Sequence, residues 1–483
     1  MRSKVHQQSY SNAVMRRQAR RLSPAGQLAV DRVAELAALQ QRHERTFDPA
    51  LRTEATSILR TLPLLSSDED PRFVHTQRAL RAAAYFDAVD LPTTYALINQ
   101  HTKNAFLLDA VAMSSFFFIL GKLQHPQTAE IIAVLLPRLR ELAPDLIPRE
   151  AVHILRVLHR YGVEDAKLVK TLTDTVVNTA AEAPLKDVRQ CAVVLAETNP
   201  EEARRVLVGA TTRLCEEIEL CTDTNEVKAT MMDICRAVAL TCSGPRELLN
   251  SVARRSLDLL PQLTPLDIAY VLKAFHLSSY RHLRVLRVLA SSLAARAGEN
   301  KAAAEVVTAA AVAMVVPALA HFYVTDCEEV VLTLVSAVAE TLEGLNLALT
   351  LLATVRLQCV SPAHAQATDV LCGVPLRRYA QKPHSLRVTS RILYALSQAG
   401  RCSSTKDVVN LQSMLNAVLR ARGPIPNDCR SFLLDAVTTL DADSRCSDDA
   451  VKGLLRGVRE RLSCNSSSSR GGSKGVSGSP VFS

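Results

Sequence analysis

The sequence predicts an all-α fold, a right-handed α-solenoid of helix–turn–helix repeats of about 35–47 residues. Three observations predict it. First, LIPREAVHILRVL at 146–158 returns as LTPLDIAYVLKAF at 263–275, and the register holds through the following HRYGVEDAKLVKTL and HLSSYRHLRVLRVL. Second, the apolar residues closing each first helix form a ladder: Leu123, Leu158, Leu195, Ile234, Phe275, Phe322, Leu357, Leu396 and Val437. Its steps are 35, 37, 39, 41, 47, 35, 39 and 41 residues. Third, 48% of the 483 residues are hydrophobic but only 4% are aromatic, and none is Trp. A mix so rich in Ala, Leu and Val favours closely packed helices. A two-helix unit cannot bury its apolar face alone, so stacking has to complete the core.

Residues 1–30 carry Arg2, Lys4, Arg16, Arg17, Arg20 and Arg21 and no acid. That is the composition of an organelle transit peptide or of a plain disordered basic arm, without the apolar run of a secretory signal. The segment 31–70 holds the body of an N-terminal helix, which spans 24–62, and then the acidic loop SSDEDP at 66–71. The repeat array fills 71–462. Its template is clearest at 263–296, where Thr264 caps, Pro265 takes the first helical position and Asp267 completes a capping box. Ile268, Val271, Leu272 and Phe275 then recur at helical spacing. After the break HLSSY, a second helix from about Arg281 to Arg296 turns Leu283, Leu286, Leu289 and Leu293 inward. The extra GENKAAAE at 298–305 accounts for the 47-residue step. TAAAVAMVVPALAHFYV at 308–324 is interrupted by Pro317 and His321. It falls short of the roughly 20 apolar residues of a membrane span and reads as a buried repeat helix. Residues 463–483 form a Ser/Gly-rich, disordered tail.

The residues point away from catalysis, and no metal, cofactor or small-molecule substrate is expected. The 12 cysteines include no C-x-x-C and no His pair at zinc-ligand spacing, so they read as reduced, structural thiols. No metalloprotease, phosphate-loop or dinucleotide motif occurs. GGSKG at 471–475 imitates a nucleophile elbow, but in the tail it has no strand before it and no helix after it.

Charge is more informative. The net charge is +9, a bias toward nucleic acid or anionic surfaces. On 148–160, Arg149, Arg156 and Arg160 gather with His153, while His159 falls on a different face. In the matching unit Lys273 takes the place of Arg156, and Tyr280, Arg284 and Arg287 follow on one stripe. No acid occurs from Ile268 to Gly298. None occurs from Val370 to Lys406, a stretch that includes Arg377, Arg378, Tyr379, Lys382, Arg387, Arg391 and Tyr394. Between these blocks, 302–355 has six acids and no Lys or Arg, which suits contact with another protein subunit. A single charged helix is ordinarily a solvated face. Two long basic blocks interleaved with Tyr suit single-stranded RNA, with phosphates on Arg and Lys and bases on rings. A partner with an acidic surface is the other reading.

The segment FFFILGKLQHPQTAEIIAVLLPRLRELAPDLIPREAVHILRVLHRYGVEDAKLVKTL resembles the heptatricopeptide-type repeats of FAST-kinase-like proteins. The shared features are an IL-x-x-L first helix, a short polar turn and an LV-x-x-L second helix. The likeness covers residues 110–300 well and the remainder loosely. It implies an organellar RNA-binding factor of RNA processing, stability or translation. Many such proteins end in a small α/β RAP domain; here the C-terminus is helical and then Ser/Gly-rich, which removes the inherited case for catalysis. The repeat-only chain is also similar to helical subunits of the kinetoplastid mitochondrial guide-RNA editing machinery. The sequence thus leads to a non-catalytic RNA-binding subunit of a processing or editing complex in the mitochondrial matrix. The alternative is a HEAT- or armadillo-like protein scaffold in a mitochondrial ribosomal or other assembly.

Overall fold

A computed structural model describes residues 22–179, 182–297, 306–381, 385–402, 404–446 and 448–467. The arm up to residue 21, the GENKAAAE insertion, Lys382 and the tail from 468 lie outside the described residues. The described residues form 24 α-helices and no strand, as an all-α sequence requires. They fall into two compact units, divided between Ala210 and Thr211.

Unit one contains α1 (Pro24–Thr46), α2 (Pro49–Arg60), α3 (Val74–Tyr85), α4 (Pro92–Lys103) and α5 (Ala110–Leu123). Then come α6 (Thr128–Leu142), α7 (Pro148–Arg160), α8 (Ala166–Asn178), α9 (Leu185–Ala196) and α10 (Pro200–Gly209). The helix expected over 24–62 is two helices. Phe47 adopts a left-handed φ of 52° that closes α1, and the Asp48 carboxylate accepts from the Ala50 N–H at 2.9 Å to open α2. The odd-numbered helices pack on one another in chain order, α1 through α9, as one row. The even-numbered helices make the second row, α6 reaching α8 through the 3₁₀ turn Ala143–Asp145. Because α1 packs on α3, the acidic loop links helices within the same stack.

Glu69 of that loop ties the start of α1 down. Its carboxylate accepts from the Ser23 N–H at 3.1 Å and hydroxyl at 2.6 Å, and from the Ser66 N–H at 3.0 Å and hydroxyl at 2.9 Å. These donors hold its pKa down to about 2. A depressed carboxylate pKa stabilises the fold above its ordinary value of 4.5, and that support disappears as pH falls toward 2. Amide-exchange protection in the first turn of α1 is therefore expected to fall across that window, and Glu69→Gln should remove the pH dependence. Unchanged titration in the variant would contradict this role.

Unit two contains α11 (Thr211–Leu220), α12 (Thr224–Thr241), α13 (Arg246–Asp258), α14 (Pro265–Leu277), α15 (Leu283–Ala297), α16 (Ala309–His321) and α17 (Glu328–Val338). It continues with α18 (Gly344–Val360), α19 (Ala365–Cys372), α20 (Val374–Gln381), α21 (Leu386–Gln398), α22 (Thr405–Arg420), α23 (Asn427–Ala442) and α24 (Asp449–Ser467). Its first row is α12, α14, α16, α18, α21 and α23; the remaining helices form the second, with α19 and α20 together filling one place. The template reads out closely. Thr264 Oγ1 accepts from the Asp267 N–H at 3.2 Å, and Asp267 returns the favour to the Thr264 N–H at 2.9 Å. The stretch read as a buried repeat helix is α16, with Val312, Val315, Val316 and Leu319 fully buried. Among the described residues no helix is long and apolar enough to cross a membrane.

Every ladder residue from Leu123 to Val437 lies on, or closes, a first-row helix of its unit, and none is more than 6% exposed. A second recurrent device joins neighbouring hairpins. An Arg donates to backbone carbonyls at the turn or helix end of another hairpin, where the last carbonyls lack helical donors and carry the negative end of the dipole. Arg138 donates to Leu108 at 3.2 Å, Arg255 to Cys221 at 3.3 Å and Arg296 to Leu260 at 2.7 Å, while Arg430 makes a similar bond within its own hairpin, to Leu462 at 2.8 Å. Arg461 reaches four carbonyls, those of Val418, Leu419, Ala421 and Gly423. The cysteines whose side chains are described are free thiols, and burial pushes Cys191 and Cys235 up to about 12, which leaves them unreactive.

Candidate nucleic-acid interface

What holds each predicted cation decides whether its charge remains available. A carboxylate partner cancels it, a carbonyl partner only orients it, and an aromatic face fixes it without cancelling it. Arg287 belongs to the first class: its guanidinium is 2.8 Å from Asp326, an acid of the 302–355 segment. Arg387 is likewise paired, 2.8 Å from Asp428, and Arg401 is paired with Asp369. Arg160 donates to the Gly121 carbonyl, and Arg378 to the carbonyls of Ala339 and Glu340 at the end of α17. The side chains of Arg149, Arg156, Lys273, Arg284 and Arg377 make no hydrogen bond or ion pair among the described residues. Lys382 lies outside the described residues.

The two tyrosines serve the core instead. Tyr379 is 4% exposed, and its hydroxyl meets Thr389 Oγ1 at 2.8 Å and donates to the Ser385 carbonyl at 3.3 Å. A ring packed between helices has no free face for a base, which corrects its expected stacking role. Tyr280 is half-buried, edge-on to Phe275 at 5.0 Å between centroids, with its hydroxyl bonded to Asn250. The stripe Tyr280, Arg284 and Arg287 thus reduces to Arg284 as an unpaired cation.

In unit one, α5, α7 and α9 frame a cavity of about 570 Å³ lined by Phe118, Lys122, His153, Arg156, His159 and Arg160, with Glu197 on its wall. His153 and His159, expected on different faces, meet the same cavity because it spans the width of α7. His153 lies against Phe118 at 5.0 Å. Burial, with Arg149 and Arg156 nearby, pushes its pKa down and keeps it neutral. His159 bonds Glu197 at 2.7 Å. Lys122 sits 5.8 Å from the centre of the Phe118 ring. Arg81, Tyr85 and Lys122 line an adjoining depression between α1, α3 and α5.

In unit two a cavity of about 470 Å³ opens on the first row, lined from α14, α16, α18 and α21. Lys273, Arg356 and Arg391 reach it, and no Asp or Glu does. Three first-row arginines lie over rings: Arg236 over Tyr270 at 5.2 Å, Arg356 over Tyr323 at 5.0 Å, and Arg391 over Phe432 at 5.5 Å. The Tyr323 hydroxyl also accepts from Arg356 at 2.7 Å. Sequence reasoning found Lys273 and Arg391 but missed Arg236, Arg356, Tyr270 and Tyr323 as a set. The recurrence of an Arg with an aromatic roughly one repeat away was the available signal. The acidic segment 302–355 masked it, although α16 and most of α18 come from that segment and bring no acid to the cavity.

The rings of His276 and His321, both lining this cavity, lie 4.8 Å apart and tilted by 50°. Burial, then the neighbouring imidazole and cations, lower His276 to about 4. Burial and Arg356 lower His321 as well, so both rings are neutral at physiological pH. Among the described residues no cluster of His, Cys, Asp and Glu is arranged to hold a metal. No family model matches the chain, and no curated protein shows significant similarity to it.

Proposed function

We propose that this protein binds single-stranded RNA without catalysing a reaction on it, as a subunit of an RNA-processing or RNA-editing assembly in the mitochondrial matrix. The two-row packing of each unit is taken to be that of a right-handed α-solenoid, with RNA on the exposed side of the first row. The observation that carries the reading is the set of first-row cations held by rings: Arg236 on Tyr270, Arg356 on Tyr323, Arg391 on Phe432. Such a cation stays fixed and charged, which is what a phosphate needs, and its neighbouring aromatic surface suits a base. The acid-free, Arg-rich composition of 1–30 supports the organellar location.

A protein scaffold is the second reading, favoured by exposed Phe106, Val111 and Ile147 in unit one and by the pairing of Arg287 and Arg387 with acids. Anisotropy of a labelled 20-nucleotide RNA titrated with the full chain tests the first. Binding is expected at low salt, with log affinity falling against log salt by about 0.7 per phosphate contacted. Absence of binding at 50 mM KCl, about where such contacts are strong, would leave the scaffold reading standing.

A further inference from the structure

The unit-two cavity is built as a ligand site as well as a charged surface. Its volume of about 470 Å³ falls within the roughly 300–1,000 Å³ of small-ligand pockets. Three cations from three helices, Lys273 of α14, Arg356 of α18 and Arg391 of α21, stand around it without an acid among them. Much of the lining is apolar: Met314 and Pro317 from α16, Leu349, Leu352 and Ala353 from α18. The Asn346 amide, the Ser279 hydroxyl and the His276–His321 pair also line the cavity. Pro317 brings no N–H, so the Ala313 carbonyl one turn earlier lacks its ordinary helical donor, and both residues line the cavity. An apolar lining, neutral donors and acceptors, and cations without an acid are the three kinds of group that a base, its edge and a phosphate need.

We propose that this cavity takes one unstacked nucleotide of a bound single strand, its base on Met314 and Leu349, its edge met by Asn346, and its phosphate at Lys273 and Arg356. The proposal rests on the RNA reading above and deepens it: the strand is not only tracked along its backbone but gripped at one base. The carboxylates of an acidic peptide would satisfy the cations but leave the apolar lining without a planar partner unless an aromatic side chain accompanied them. Base recognition in single strands commonly joins these elements, an apolar or aromatic platform and hydrogen bonds to a splayed-out edge.

The chain has no Trp, so Leu345→Trp at the cavity mouth, where Leu345 is 48% exposed, supplies a single local reporter in the full-length protein. AMP or UMP is expected to quench it saturably, inorganic phosphate is not, and adding Asn346→Leu should abolish the response. Filling the apolar lining with Ala353→Met should weaken binding of a labelled 12-nucleotide RNA about tenfold, the order of losing one bound base. Asn346→Leu gives the same reading should the filled variant fail to fold. If RNA binds but neither nucleotide quenches and both variants bind RNA normally, the pocket assignment is overturned and the RNA reading stands. Quenching by phosphate equal to that by AMP reduces the site to an anion site and overturns it too. Nucleotide binding by a chain that binds no RNA overturns the RNA reading instead, together with the claim of a strand in the cavity.

Discussion

Lys273→Glu combined with Arg356→Glu is expected to weaken single-stranded RNA binding by about a hundredfold or more and to flatten the salt dependence by roughly 1.4 log units per log salt, two phosphate contacts' worth. Both cations face one acid-free cavity, and neither is cancelled by a carboxylate. The contrasting pair is Arg287→Glu with Arg387→Glu. Those guanidiniums already sit 2.8 Å from Asp326 and Asp428, so their reversal should change RNA affinity little. It should cost less than about 1 kcal/mol of stability per pair, as exposed ion pairs do. Anisotropy titrations across salt, with circular dichroism as the folding control, measure both. A stronger effect from the second pair would move the interface away from the cavity and sink the assignment made here.

Phe275→Ala should be the most destabilising single substitution considered, lowering the stability of unit two by about 3–5 kcal/mol. The ring is fully buried, carries a step of the apolar ladder and supports Tyr280 edge-on. Truncating it removes transfer energy and leaves a cavity that stacked helices refill poorly. Urea unfolding followed by far-ultraviolet dichroism would register the loss as a lowered midpoint. Tyr379→Phe is the calibrating control: it deletes only the hydroxyl bonded to Thr389 and Ser385, about 1 kcal/mol, and should leave RNA affinity untouched.

The helices were legible because their signals are local. Thr264, Pro265 and Asp267 specify a cap within four positions, and the ladder from Leu123 to Val437 traces one buried row in each unit. The fate of each cation was not legible, because it depends on partners far along the chain. Arg287 and Asp326 are 39 residues apart, and Arg356 and Tyr323 are 33 apart. Acid-free stretches read as free positive charge, yet Arg287, Arg378, Arg387 and Arg401 found acids or carbonyls on neighbouring hairpins, while Arg284 and Arg377 did not. Tyr379 illustrates the same limit: a Tyr beside two arginines looks like a stacking platform until the helix phase turns it inward. The break at residues 210–211 left no mark in the repeat spacing either.

The arginines that donate to carbonyls on another hairpin bear on how such a chain can change its copy number. Arg461 meets four carbonyls between Val418 and Gly423, and Arg296 two between Leu260 and Leu263. Donor and acceptor therefore belong to different hairpins, and the heritable module is a hairpin plus the turn of its neighbour. Excising one hairpin would place an arginine opposite a turn it never met, at a spacing set by a different repeat. Duplication in tandem carries its own clasp along only if the copied boundary falls outside the pair. Gain or loss of units by recombination should thus succeed at a few phases of the repeat and fail at most, which also tells a protein engineer where to cut.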